Sequence, residues 1–257
     1  MQKTLEKKFY NTLAMFDDKE RMISEIVRSD YRTADVFKKH NINFCCSGPV
    51  SLRTACESRN INYENILSEL GEATRNIQLP NNLQVDQWKI DFLIDYIINV
   101  HHAYLYQAVP SLDIQLTSFV EGHKKKYPEL IKIQELFNEL SRILLQHNRH
   151  EEEILFPYIK QIDVAYRRKE SYGNLFVRTL RKPLSNVEKE HALITELLKK
   201  IKLCTRNYIF PVNACTTHQI LYYKLKELHE DLIQHKNLEN SILFPKALEI
   251  EQHLLQI

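Results

Sequence analysis

Apolar residues recur at alternating spacings of three and four from Trp88 onward, which is the pattern of amphipathic helices packed against one another. Four such stripes can be followed, and each carries a histidine at a position that faces the core of a bundle. The stripes are Ile94, Ile98, His102, Leu105 and Val109; Phe137, Leu140, Leu144, His147, Glu151 and Ile154; Leu184, Val187, His191, Ile194, Leu198 and Ile201; and Leu225, Leu228, Leu232, His235, Glu239 and Ile242. This pattern predicts an antiparallel four-helix bundle.

The chain before Trp88 has a more broken pattern. A cysteine-containing loop is predicted at His40–Pro49, and Ser51–Leu70 is predicted to be one helix that ends at Gly71. Polar sequence with Pro80 then indicates a linker. The predicted division is an N-terminal extension over 1–22, a small helical domain over 23–71, a linker over 72–86 and the bundle over 87–252.

Composition supports an all-α fold. The 257 residues include only four glycines and eight prolines, which is little turn-forming sequence for a protein rich in β-structure. The formal net charge of +2 does not indicate a nucleic-acid-binding surface. We therefore predict an all-α protein without a nucleic-acid partner.

Sequence features also predict a cytoplasmic protein. Lys3, Lys7 and Lys8 are not followed by an apolar segment, so we expect no signal peptide. The stretch Phe92–Val109 is interrupted by polar residues such as Asp95 and is not expected to span a membrane. The five cysteines have no Cys-x-x-Cys spacing, and free thiols in a reducing compartment are expected.

One sequence motif occurs twice, 88 residues apart. The first copy is His147-Asn-Arg-His-Glu151-Glu-Glu-Ile-Leu-Phe-Pro157, and the second is His235-Lys-Asn-Leu-Glu239-Asn-Ser-Ile-Leu-Phe-Pro245. Residues four apart lie on one face of a helix, so each copy directs an imidazole and a carboxylate towards the same point. Two such faces supply two histidines and two glutamates, which are typical ligands of a metal site inside a helix bundle.

The positions of the turns predict which histidines meet. In an antiparallel helix pair, residues equally far from the turn face each other. The matched pairs are His102 with His147, whose midpoint is near residue 125, and His191 with His235, whose midpoint is residue 213. Both midpoints fall in loop-like sequence, at Gly122–Pro128 and at Asn207–Asn213. Two helical hairpins are therefore predicted to meet at one site.

The remaining histidines are predicted to lie away from this site. His123 is 21 residues beyond His102. On one helix that is about 30 Å, so His123 is assigned to the turn. Pro110 then lies inside the first bundle helix, as a kink. Three further histidines fall off the stripes and are expected to face solvent: His101, His150 and His229.

Four histidines and two glutamates in a bundle core indicate a cation, because an unpaired buried carboxylate is costly. Six ligands are too many for one zinc ion, which takes four. They suit two metals bridged by both carboxylates, each with two imidazole nitrogens and two carboxylate oxygens. Octahedral geometry leaves room for a bridging oxo or hydroxo group and an open position for dioxygen or nitric oxide. Mixed imidazole and carboxylate ligands fit iron or manganese.

Cys45 and Cys46 form a second candidate site in the sequence His40-Asn-Ile-Asn-Phe-Cys45-Cys46-Ser-Gly48-Pro49. A helix that begins near Ser51 would favour the thiolate form. The alternative is that both cysteines are small buried apolar residues. The other three cysteines are expected to be packing residues: Cys56, Cys204 and Cys215.

Together, the cysteine pair and the two copies of the His-x-x-x-Glu motif resemble the bacterial repair-of-iron-centres family. Its members join a domain with an H-x-(I/M)-D-(F/Y)-C-C-G-G loop to a hemerythrin-like di-iron domain. The resemblance covers residues 23–250, whereas residues 1–22 have no counterpart in the shorter members. In the cysteine loop, Asn43 replaces the usual Asp and Ser47 replaces the first Gly.

The resemblance implies specific site residues and cofactors. Cys45 and Cys46 match the family's cysteine pair, which implies a thiol role. The resemblance also implies two bridged iron ions as the cofactor. The residues that match the iron ligands are His102, His147, Glu151, His191, His235 and Glu239.

The function implied is repair of iron–sulfur clusters damaged by nitric oxide or oxidants, by iron donation, with damaged or apo iron–sulfur proteins as partners. Two alternatives remain open: a protein that senses or binds nitric oxide or dioxygen, and an enzyme that reduces nitric oxide at the di-iron centre. A homodimer is left open as an assembly state.

Overall fold

The computed structural model describes residues 20–44, 50–75, 83–170, 172–180 and 183–256. Within these ranges the chain is helical, no strand is present, and one isolated bridge pairs Met22 with Ser51. The all-α prediction is confirmed. The α-helices are α1 (Ile23–Ser29), α2 (Thr33–Lys39), α3 (Leu52–Arg59), α4 (Tyr63–Ala73), α5 (Ile90–Tyr96), α6 (Ala103–His123), α7 (Glu129–His150), α8 (Phe156–Arg168), α9 (Gly173–Leu180), α10 (Pro183–Cys204), α11 (Thr216–Leu238) and α12 (Phe244–Gln256).

Two compact units can be distinguished. The first contains the described residues of 1–81 together with Phe210–Tyr223, and the second contains 82–209 and 224–257. The apolar core of the first unit is built by α1 to α4, and Ile220 also belongs to it. The domain boundaries drawn from the sequence remain a prediction.

The prediction of a single helix over Ser51–Leu70 is wrong, because two helices, α3 and α4, cover this segment. Asn60 adopts a left-handed conformation (φ 52°) that ends α3, and the side chain of Asn62 accepts a hydrogen bond from the backbone N–H of Asn65 at the start of α4. Gly71 does not end α4 but lies inside it. The predicted helix start is confirmed, since Ser51 caps α3 by accepting from the backbone N–H of Thr54 at 3.2 Å.

The long helices of the second unit carry the predicted stripes, and the turns lie where the spacing of the histidines predicts them. Helix α6 ends at His123 and α7 begins at Glu129, so residue 125 lies between them. Residue 213 lies between the end of α10 and the start of α11. Helix α7 packs against both α6 and α10. Pro110 lies inside α6 as predicted.

Three short π-helical segments join consecutive α-helices without a break, between α5 and α6, α7 and α8, and α11 and α12, and the spacing does not predict them. These segments are Ile97–His102, Glu151–Leu155 and Glu239–Leu243. In the last two, the N–H of Phe156 donates to the carbonyl of Glu151 and the N–H of Phe244 donates to the carbonyl of Glu239, five residues back. Single π turns inside α-helices are frequent at functional sites.

The motif itself explains where the last two π segments occur. Pro157 and Pro245 directly follow Phe156 and Phe244, and proline has no N–H to continue the regular helical pattern. The wider turn also adds one residue between the site and the core beyond it. Ile154, predicted to be in the stripe, is therefore 48% exposed, whereas Leu155 is fully buried.

Beyond the π segments, α8 and α12 pack against each other. Phe156, Ile159 and Ile162 from α8 share one buried apolar cluster with Ala247 and Ile250 from α12. Among the described residues, no helix is both long enough and apolar enough to cross a membrane. The cytoplasmic location remains a prediction.

Candidate metal centre

The structure brings all six predicted metal ligands together. They form two groups of four, and within each group one potential ligand atom per residue lies within 4.8 Å of the others. Both groups contain Glu151 and Glu239, and all six side chains are buried. The groups are His102, Glu151, His235 and Glu239; and His147, Glu151, His191 and Glu239.

The two oxygens of Glu239 point to different groups. Its Oε1 lies 2.8 Å from Nε2 of His235, and its Oε2 lies 3.3 Å from Nε2 of His191. A carboxylate with one oxygen in each of two ligand sets has the arrangement of a bridge between two cations.

Glu151 lies between the same two groups. Its Oε2 is 3.4 Å from Nε2 of His102 and 3.3 Å from Nε2 of His147. Its Oε1 is 3.9 Å from Nε2 of His191. The histidines matched by their distances from the turn, His102 and His147, therefore meet at this carboxylate.

Each group pairs histidines from different hairpins. The Nε2 atoms of His102 and His235 are 3.1 Å apart, and so are those of His147 and His191. Two ligand atoms at right angles around a metal, each about 2.1 Å from it, would be about 3.0 Å apart. The observed spacing of the nitrogens thus fits a cation bound by both.

Hydrogen bonds on the other ring nitrogen set the tautomer of three of these histidines. A carboxylate only accepts, so Nδ1 of His102 donates to Oε1 of Glu152 (2.7 Å) and Nδ1 of His147 donates to Oε2 of Glu190 (2.9 Å). Nδ1 of His191 donates to Oδ1 of Asn240 at 2.9 Å. In the neutral imidazoles the Nε2 lone pair is then free to bind a cation, which is the usual arrangement around metal-bound histidine.

Glu152, Glu190 and Asn240 are hydrogen-bond partners of the candidate ligands, and the spacing argument misses them. A signal was present, because Glu152 and Asn240 directly follow the two motif glutamates, and Glu190 directly precedes His191. Tyr106 joins this network, since its hydroxyl donates to the same Glu152 oxygen at 3.2 Å. Burial and the charge of Glu152 raise the pKa of Tyr106 to about 12.

The two shared carboxylates are left incompletely satisfied by protein groups. Neither oxygen of Glu151 has a hydrogen-bond partner among the described residues, and Oε2 of Glu239 has none. Burial raises the pKa of Glu151 well above its ordinary value, and the charge of Glu239 raises it further. Burial also raises the pKa of Glu239, but His235 and His191 outweigh this and hold it well below its ordinary value. Orphaned buried oxygens beside unprotonated imidazole nitrogens fit a site built for cations.

His101 does not face solvent, so the prediction for this residue is wrong. It is 3% exposed, its Nδ1 is 2.8 Å from Oδ1 of Asp231, and its ring stacks on that of His235 at 5.6 Å. The wide π turn over Ile97–His102 buries both of its adjacent histidines, which a regular helical spacing does not predict. The other two histidines expected to face solvent, His150 and His229, are half-buried.

His123 lies outside the ligand groups, at the last position of α6. Its ring stacks on Phe119, and its Nδ1 is 3.0 Å from the carbonyl oxygen of Phe119. The geometry therefore agrees with its predicted exclusion from the site.

Cys45 and Cys46 lie outside the described residues, so their thiol role remains a prediction. Cys56 is buried, and burial raises the pKa of its thiol, which fits the packing role predicted for it. Cys204 and Cys215 are half-buried.

Two protein-family models match the sequence of this chain. The hemerythrin HHE cation-binding domain matches residues 93–247, and a domain of unknown function (DUF542, ScdA_N) matches residues 19–74. The iron-sulfur cluster repair protein YtfE of Escherichia coli O157:H7 is 32% identical over 231 residues, covering 90% of this chain and 97% of the relative. The chain belongs to the iron–sulfur cluster repair protein family.

Two other relatives are similar over nearly the same share of the chain. YtfE of Enterobacter sp. (strain 638) is 31% identical over 90% of this chain and 97% of its own length. The repair protein ScdA of Staphylococcus haemolyticus is 27% identical over 88% of this chain and 97% of its own length. The family predicted from the sequence is confirmed, and the cation-binding domain with its buried histidines and glutamates supports iron binding.

Proposed function

We propose that this protein restores iron–sulfur clusters damaged by nitrosative and oxidative stress by donating iron from a two-iron centre in its helical bundle. The observation that carries the proposal is the pair of buried two-histidine, two-glutamate groups that share both glutamates. This ligand set suits iron, whose chemistry at the site would be reversible binding and release as a building block of clusters.

The roles of the six ligands follow from their positions. His102 and His235 would hold one iron, and His147 and His191 would hold the other. Glu151 and Glu239 would serve both irons, whose charge would neutralise carboxylates that are otherwise buried without enough partners. Hydrogen bonds donated by Nδ1 keep three of the imidazoles oriented for binding, as in other histidine metal sites.

The N-terminal domain, proposed to span 23–71, supplies the second part of the function. Cys45 and Cys46 would offer thiols for docking to a damaged or apo iron–sulfur protein, or for transient contact with the iron that is transferred. Thiolates are the ligands that iron–sulfur clusters use, so a thiol pair is suited to the recipient's chemistry.

Iron transfer to an apo-ferredoxin tests this function. The protein is loaded with ⁵⁷Fe, mixed anaerobically with the apo-ferredoxin, sulfide and reductant, and the cluster formed is measured by absorbance and Mössbauer spectroscopy. Labelled clusters are expected with the wild type and with His123→Ala, and not with His147→Ala.

Two results would contradict the proposal. One is a protein that holds iron tightly and forms no labelled cluster. The other is a protein that transfers nothing but consumes nitric oxide catalytically with an electron donor, which would favour a nitric oxide reductase instead.

A further inference from the structure

The two halves of the metal centre differ at the residue that directly follows each shared glutamate. Glu152 follows Glu151 and Asn240 follows Glu239, so the two occupy the same position in the two copies of the motif. Glu152 accepts a hydrogen bond from Nδ1 of His102, whereas Asn240 accepts one from Nδ1 of His191. One half has a carboxylate where the other half has a neutral amide.

This difference makes His191 a weaker ligand than His102. A carboxylate that accepts the Nδ1 proton makes the imidazole more basic at Nε2, and such partners change metal affinity about 10–100-fold. The two contacts also differ in solvent access, since Asn240 is exposed and Glu152 is half-buried. Water therefore competes for the amide contact more easily.

A cleft reaches the same histidine. It has a volume of about 510 Å³, and its walls include His191, Asn240 and Phe244. The ring of Phe244 stacks on His191 with 6.0 Å between ring centres. His191 is thus both a ligand and part of the cleft wall.

Polar groups contact the backbone of His191 and line the cleft. The hydroxyl of Thr195 donates to the carbonyl of His191 at 2.6 Å, and the ammonium of Lys236 donates to that hydroxyl at 2.7 Å. The cleft lining also contains the carboxylates of Glu188 and Glu196, besides the ammonium of Lys236, and Glu196 pairs with Lys200 at 3.7 Å.

We propose that iron leaves the centre from the half formed by His147 and His191, with His191 detaching first and the cleft as the exit path. The inference rests on the proposed function and names the iron that is donated. Glu190 gives His147 a carboxylate partner, so His147 remains attached while His191 opens.

Release to a chelator tests the proposal without a repair assay. The protein loaded with two ferrous ions is mixed with excess ferrozine, and the iron released per chain is followed by absorbance. The wild type is expected to release one iron in a fast phase and the other in a slow phase. Asn240→Asp keeps the shape of the side chain but supplies a carboxylate, so the fast phase is expected to slow by about tenfold or more.

Matched variants assign the phases and the path. Glu152→Gln removes the carboxylate from the other half and is expected to accelerate the slow phase and leave the fast phase unchanged. Ala192→Trp fills the cleft and is expected to slow the fast phase. Leu193→Trp is its control, since Leu193 is exposed on the same helix but does not belong to the cleft lining.

The outcomes separate this proposal from the proposed function. Release of both irons in one phase, or a fast phase that Asn240→Asp leaves unchanged in a folded protein, would overturn the proposed exit. A chain that binds two irons and shows both phases, yet transfers none to the apo-ferredoxin, would overturn iron donation and leave the order of release intact. A chain that binds fewer than two irons would overturn both.

Discussion

His147 and His191 come from different hairpins of the bundle, and their Nε2 atoms lie 3.1 Å apart. Because Nδ1 of each ring donates a hydrogen bond, both facing nitrogens carry a lone pair in the neutral state. Two such lone pairs repel each other unless a proton or a cation lies between them. The pair therefore has the geometry of half of the candidate metal site.

Removal of one member of that pair should remove metal. We expect His147→Ala to bind at least one iron fewer per chain than the wild type, because its group loses an imidazole. His123→Ala should keep both irons, since His123 lies outside the ligand groups. Metal analysis of both purified proteins checks this, and equal loss from the two variants would show that the ligand set is wrong.

The bundle should be less stable without metal. Removal of the cations leaves Glu151 and Glu239 buried without enough partners, which costs on the order of 3–5 kcal/mol at neutral pH. The free energies of unfolding of the iron-loaded and metal-free proteins in urea measure this difference. Equal values would mean that the metal-free centre relaxes and admits water.

In the metal-free protein, the contribution of Glu151 to stability should grow as the pH falls from neutral towards 4.5. The pKa of Glu151 is raised in the folded state, so folding favours its protonated form. Its contribution is complete below the unfolded-state pKa and is lost as the pH rises through the folded-state pKa. Urea unfolding of Glu151→Gln should lack this contribution, and an identical pH profile for variant and wild type would contradict the assignment.

The cysteine pair should be dispensable for the metal centre but not for repair. We expect Cys45→Ser with Cys46→Ser to keep the iron spectrum, because neither cysteine belongs to the predicted ligand set. Recovery of a cluster enzyme damaged by nitric oxide should be weakened or abolished. Cys56→Ser is the control for loss of a thiol at a packing position. Normal recovery by the double variant would make the pair structural, and loss of the iron spectrum would mean that the two domains share the metal site.

His229 should make stability sensitive to mild acid. Its Nδ1 is 2.7 Å from the hydroxyl of Tyr208, and burial, together with the charges of Lys202 and Lys236, lowers its pKa. Its contribution is present above the unfolded-state pKa of about 6.5 and is lost as the pH falls through the folded-state pKa. The stability advantage of the wild type over His229→Gln should shrink from pH 7.5 to pH 5.5. A constant difference between the two proteins would contradict this prediction.

The ligands and turns could be predicted from the sequence because both depend on residue spacing. Histidine and glutamate four apart share a helix face whatever surrounds them, and His102 and His147 are equally far from a turn marked by Gly122 and Pro128. The family is confirmed by its relatives. These inferences need only the helical period and the turn residues.

Features that depend on tertiary packing could not be predicted in this way. The buried pair of His101 with Asp231, 130 residues apart, becomes evident only when distant residues are in place. Leu155 replaces Ile154 in the core because of a π turn, and regular spacing cannot show a local change of period.

That π turn makes the length of the motif as important as its chemistry. One additional residue rotates the helix that follows by about 100° relative to an uninterrupted α-helix. Deletion of Glu153 would keep every metal ligand and every apolar side chain of α8. It would nevertheless turn Phe156, Ile159 and Ile162 away from the partners they now have in α12. Between the shared glutamate and the Phe-Pro pair, the number of residues sets the angular phase between the candidate metal centre and the rest of the bundle.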